Sequence, residues 1–128
     1  MTPVGRATAA MFHAIMDETF DRAMDWFKQH PEEQFAYWGK DDFLPASAES
    51  IAREQFCNMH PEIDDLDDHT TVYRFGDCIV LRTFCPHLKA GIKELWDEGP
   101  DYRMYQTKTT GYEIVPEGDN FKITVYKL

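Results

Sequence analysis

Apolar residues recur at helical spacing through the N-terminal part of the chain. Phe12, Ile15 and Met16 share one face of a stretch from about Arg6 to Asp17, at the i, i+3, i+4 intervals of an amphipathic helix. A second stretch, about Thr19 to Gln29, continues with Phe20, Ala23, Met24 and Phe27. Asp21, Arg22, Asp25 and Lys28 fill its opposite face. Thr19 is placed to cap this helix, and Pro31 stops it just after His30. One helix and a bent pair both satisfy the pattern.

The period then changes. Gln34 to Trp38 (QFAYW) is short and aromatic and predicts a strand entering a turn at Gly39. Lys40 to Ala46, with Asp41, Asp42 and Pro45, reads as a loop. Ser47 to Met59 returns to the helical period, with Ser47 as N-cap and Glu49 in the first turn, where the helix dipole favours a carboxylate. Its inner stripe is Ala48, Ile51, Ala52, Phe56 and Met59, and His60-Pro61 ends it. After the acidic stretch Glu62 to Asp68, two β-rich runs, Thr70 to Phe75 and Cys78 to Cys85, are joined at Gly76-Asp77 and predict a hairpin. Leu88 to Gly99 predicts a short helix or an irregular insertion. Tyr102 to Val115 predicts one long strand, with Gly111 marking a bulge. A turn at Glu117 to Asn120 leads into Phe121 to Leu128, where Phe121, Ile123 and Val125 alternate with Lys122, Thr124 and Tyr126. Helices come first and strands follow, which is the order of an α+β fold.

At 128 residues and 43% hydrophobic, the chain is expected to form one domain that buries about two-thirds of its unfolded surface. The formal net charge of -10 argues against a nucleic-acid partner, which needs a basic face. No apolar run reaches the roughly 20 residues of a membrane span. Met1 to Ala10 has no apolar signal core. With Cys57, Cys78 and Cys85 an odd set, this predicts reduced thiols and a cytoplasmic setting. Cys78 and Cys85, placed on one strand, would point to opposite faces. His13, His30, His60, His69 and His87 form no HxH, HxxxH or HExxH pattern, and there is no CxxC, so no metal site is expected.

Three passages resemble the nuclear-transport-factor-2-like superfamily, with its SnoaL-like and ketosteroid-isomerase-like branches. They are FAYWG followed by ASAESIARE, the hairpin TTVYRFGDCIVLRTF, and the closing pair TGYEIVPEGDNFKITVYKL. The resemblance implies N-terminal helices packed on a strongly curved, mostly antiparallel sheet, a cone with an open pocket. It also implies a homodimer through the outer sheet face. A long core helix at Leu88 to Gly99 would change the sheet order and weaken the cone. The family hosts isomerases, dehydratases and cyclases that need no cofactor, and also non-catalytic adaptors, so the fold alone does not choose among them. The position that matches the general base of ketosteroid isomerases is Trp38, followed by Gly39, and neither can take a proton from carbon. The dehydratase branch uses a His and Asp pair in the pocket; His13 is roughly placed to face it, and no Asp partner is identified for it.

The residues themselves supply two readings each. His13, Tyr37 and Asp41 are the acid/base candidates; the simpler readings are a boundary histidine, a core tyrosine and a solvated turn aspartate. Trp38, Arg82 and Tyr105 are the ligand-binding candidates. Arg82 lies mid-strand in CIVLRTFC and would clamp a ligand carboxylate; the simpler reading is a salt bridge on an exposed face. Strand alternation groups Tyr105 with Arg103 and Thr107, opposite Met104, Gln106 and Lys108. The acidic cluster lacks the Gly and terminal Glu of a calcium loop and suits a basic partner. A small-organic-ligand pocket is the first expectation. The second is an adaptor whose cone is plugged by aromatics such as Trp38 and Phe84.

Overall fold

The computed structural model describes residues 2–33, 35–37, 70–83 and 85–128. The expected loop Lys40 to Ala46, the expected helix Ser47 to Met59 and the acidic stretch Glu62 to Asp68 lie outside the described residues.

Helix α1 spans Pro3–Ala14, beginning earlier than its apolar stripe indicates. Thr2 caps it by accepting the Gly5 N–H at 3.5 Å, and Pro3 presets the first helical φ. The chain does not break before helix α2 (Phe20–Gln29); a π-helical turn, Ile15–Thr19, joins the two. This turn corrects the expectation that Thr19 caps α2. The buried Thr19 hydroxyl instead donates back to the Ile15 carbonyl at 3.0 Å, because a π turn displaces the usual ladder and leaves carbonyls to be satisfied. The extra residue keeps one face buried throughout, from Met11, Phe12, Ile15 and Met16 to Phe20, Ala23 and Phe27. Helix α2 closes at His30, whose N–H reaches the Trp26 carbonyl at 3.0 Å, with Pro31 next.

The strands are β1 (Phe35–Tyr37), β2 (Thr70–Phe75), β3 (Cys78–Thr83), β4 (Met104–Gln106), β5 (Thr110–Glu117) and β6 (Asn120–Lys127). They form one antiparallel sheet in the order β1-β2-β3-β6-β5-β4, with β1 and β4 at its edges among the described residues. The expected hairpin turns on Gly76, whose φ of 61° favours glycine. Across the strands, Val72 pairs Leu81, Leu81 pairs Ile123, and Tyr112 pairs Val125. These residues, with Ile79 and Ile114, form the buried face against α1, the π turn and α2.

Three expectations are corrected. Tyr102 to Val115 is not one strand. Pro100 starts a single helical turn, α4 (Pro100–Arg103), which holds Tyr102, and β4 and β5 follow as a hairpin. Its turn is built by Thr107, whose hydroxyl accepts the N–H groups of Thr109 and Thr110 at 3.3 and 3.1 Å. Gly111 is no bulge. It pairs in register with Tyr126, and a Cβ there would lie 2.8 Å from the Tyr126 ring, so the glycine admits that ring. Finally, Cys78 and Cys85 do not share a strand, because β3 ends at Thr83. Cys85 is a buried free thiol at the start of the next helix.

That helix, α3 (Pro86–Glu98), is the 13-residue element at the place of the expected short helix or insertion. It buries Leu88, Ile92 and Leu95, each worth about 1.5–3 kcal/mol if fully removed from water. It crosses α1 at Gly91, where a Cβ would stand 2.0 Å from Thr8 Oγ1. The Thr8 hydroxyl, buried in this crossing, donates to the Val4 carbonyl at 2.9 Å. The Glu94 carboxylate also holds α3 to the start of α1, accepting from the Thr2 N–H and hydroxyl. Desolvation works to raise this carboxyl, but the Thr2 hydrogen bonds together with the nearby N-terminal ammonium and Arg6 hold Glu94 below the usual glutamate value. No helix among the described residues is long and apolar enough to cross a membrane.

Candidate functional site

The last turn of α1 meets the β4–β5 hairpin at one border of the buried face. Phe12 points into the core and is fully buried; His13, the next residue, is half-buried. The His13 ring stacks on Tyr105, with centroids 4.5 Å apart and planes 18° from parallel. Register puts Tyr105 opposite Tyr112, so the side chains of this pair emerge on the helix side. Tyr112 is buried behind the stack, 6.5 Å from His13, 6.2 Å from Tyr105 and 5.3 Å from Phe12 by ring centroids. Its hydroxyl donates to the Tyr102 carbonyl at 3.2 Å. Burial, with smaller contributions from Tyr105 and Tyr102, pushes the Tyr112 phenol up to about 12. It therefore stays a neutral donor at physiological pH.

An imidazole beside two phenols can exchange protons with a ligand and stack on its ring. Tyr105 and Tyr102, each 39% exposed, leave the outer side of the cluster open to solvent. The alternation in sequence grouped Tyr105 with Arg103 and Thr107. The structure replaces that group, since Arg103 ends α4, donates from Nε to the Trp96 carbonyl at 2.7 Å, and stacks over the Trp96 ring at 4.1 Å.

Arg82 lies on the other side of the sheet. It neighbours the inward Leu81, pairs with Thr71, and Thr71 pairs with Tyr37 on β1. Its Nη2 contacts Glu117 at 2.7 Å, an ion pair in which both side chains are nearly half exposed, and such pairs add little stability. The guanidinium carbon lies 5.4 Å from the Tyr73 ring centroid. Its Nε is buried with no acceptor, a desolvated donor that costs about 1–3 kcal/mol.

The sequence candidates therefore separate. His13 and Tyr105 come together, with Tyr112. Arg82 does not join them, because the sheet stands between. Tyr37 shares a sheet row with Arg82 by backbone register, while Trp38 and Asp41 lie outside the described residues. Sequence reasoning missed Tyr102, Tyr73 and Glu117. Tyr73 was legible as a cross-strand neighbour two positions from Thr71; Glu117 was hidden in its turn. Among the described residues no group of three His, Cys, Asp or Glu side chains could hold a metal ion.

No protein-family model, curated protein or solved structure matches the chain.

Proposed function

We propose that the chain binds a small planar organic molecule at the border between α1 and β4, against His13, Tyr105 and Tyr112. The observation that carries this reading is the His13–Tyr105 stack at 4.5 Å, half-open to solvent and backed by a buried neutral phenol. A planar ring can extend the stack, and the imidazole then lies within reach of its exchangeable protons. If the site is catalytic, His13 is the acid/base and Tyr105 orients the substrate, with isomerisation, dehydration or cyclisation as the reaction class.

The fold reading that accompanies it is a nuclear-transport-factor-2-like cone in a cytoplasmic homodimer. It is supported by the antiparallel sheet with the described helices packed on one face. Helix α3 between β3 and β4, with Leu88, Ile92 and Leu95 in the core, weighs against the cone, as a core helix at this place was expected to do. The second reading is an adaptor that uses the opposite sheet face. It is favoured by Phe35 and Phe75 on β1 and β2, which are 50% and 74% exposed.

A thermal-shift panel of small phenols, planar acids and sterols tests the first reading. At saturating ligand, 100 times Kd, a bound compound should stabilise the protein by about 2.7 kcal/mol. Tyr105→Ala and His13→Ala should each remove most of that gain. A panel without any stabilising compound would favour the adaptor.

A further inference from the structure

The face turned away from the described helices carries a cleft of about 360 Å³, lined among the described residues by Phe35, Thr71, Tyr73 and Arg82. That volume lies within the range of small-ligand pockets. Two aromatic rings and a cation share it, and the cation keeps one donor without an acceptor. Glu117 contacts Arg82 at one terminal nitrogen, Nη2, at 2.7 Å among the described residues, and Nε is buried with no acceptor. Guanidinium offers a planar fork that a carboxylate fills with two parallel hydrogen bonds. Glu117 is half exposed at the end of β5 and holds Arg82 through a pair that solvent screens. An incoming carboxylate can displace it at small cost.

We propose that this cleft binds a small aromatic carboxylate, with its ring against Tyr73 and Phe35 and its carboxylate on Arg82. Charge supports that occupant. On a chain of net charge -10, an anion is repelled from most of the surface and is held where a local cation and a desolvating wall coincide. Glu117 then acts as an internal competitor that occupies the cation until the ligand arrives. The site is independent of the His13 cluster, since the sheet separates them.

Benzoate is the probe, titrated into the isotope-labelled full chain while the backbone amides of Thr71, Tyr73 and Arg82 are followed by NMR. Saturable shifts at these amides are expected. Arg82→Gln should weaken binding by about 10-fold or more. Glu117→Gln should tighten it by about 2- to 5-fold. Benzamide, which has the shape without the charge, should bind at least as weakly as benzoate binds to Arg82→Gln. His13→Ala should change nothing here, so failure of this site and failure of the His13 site read out separately. The proposal is overturned if the wild-type amides show no saturable shift, if folded Arg82→Gln keeps full affinity, or if benzamide matches benzoate. Should Arg82→Gln not fold, Glu117→Gln decides: tighter binding supports the site, and unchanged binding overturns it.

Discussion

Tyr112 ties the candidate site to the stability of the fold. Its ring packs on Phe12 inside the core, and its hydroxyl is spent on the Tyr102 carbonyl. In the unfolded chain the phenol ionises near its ordinary value of 10; in the folded chain burial holds it neutral to about 12. The folded state therefore keeps this contribution below pH 10 and loses it as pH rises toward 12, where the unfolded chain gains by ionising. A tyrosine step near pH 12 should be visible by ultraviolet absorbance, and Tyr112→Phe should abolish it. The same substitution removes one partly buried hydrogen bond and should cost about 0.5–1.5 kcal/mol at neutral pH. A wild-type titration that Tyr112→Phe leaves unchanged near pH 12 would show that the phenol is not sealed. His13 presents the opposite case, a polar ring with its stacking partner on the surface, which is why it is the residue able to meet a ligand.

At the scale of elements, the α1–α3 crossing depends on Gly91. A methyl group there would meet Thr8 Oγ1 at 2.0 Å, with Thr8 Cβ and Val4 Cγ1 at 3.1 and 3.2 Å. Gly91→Ala should cost about 1–3 kcal/mol through overpacking, and Thr8→Ala in the same chain should recover part of it. Chemical denaturation of the single and double variants measures this. An equal cost with and without Thr8 would place the strain elsewhere. Much of this architecture was legible beforehand. The stripe from Phe20 to Phe27, the Gly76-Asp77 turn and the alternation of Ile123 and Val125 each carry a local period or a turn residue. The elements that were misread lack such a signal. The π turn changes one hydrogen-bond register with no compositional mark. The β4–β5 turn uses threonine hydroxyls where glycine or proline would have announced it. Helix α3, expected as a short helix or an insertion, crosses α1 at Gly91, which carries no apolar side chain to mark the contact. The site was legible only as separate residues, since the His13–Tyr105 stack joins opposite ends of the chain.

At the scale of the molecule, the antiparallel sheet is the partition that matters. Its buried face carries the core and, at one border, the His13, Tyr105 and Tyr112 cluster. Its other face carries Arg82, Tyr73 and Glu117. Strand alternation makes a residue belong to one face or the other, so a single pocket cannot gather both sets. The excess of acidic over basic residues, 23 to 13, disfavours polyanionic partners at either face. We propose that the protein holds a small organic molecule at the His13 border, in a homodimer. Native mass spectrometry of the freshly purified protein tests it most directly, with the panel compounds added afterwards. The expected result is a dimer that carries a discrete small-molecule mass, retained from purification or taken up from the panel, and absent from Tyr105→Ala. A chain that stays bare under both conditions, or that retains the same mass after Tyr105→Ala, would contradict the account.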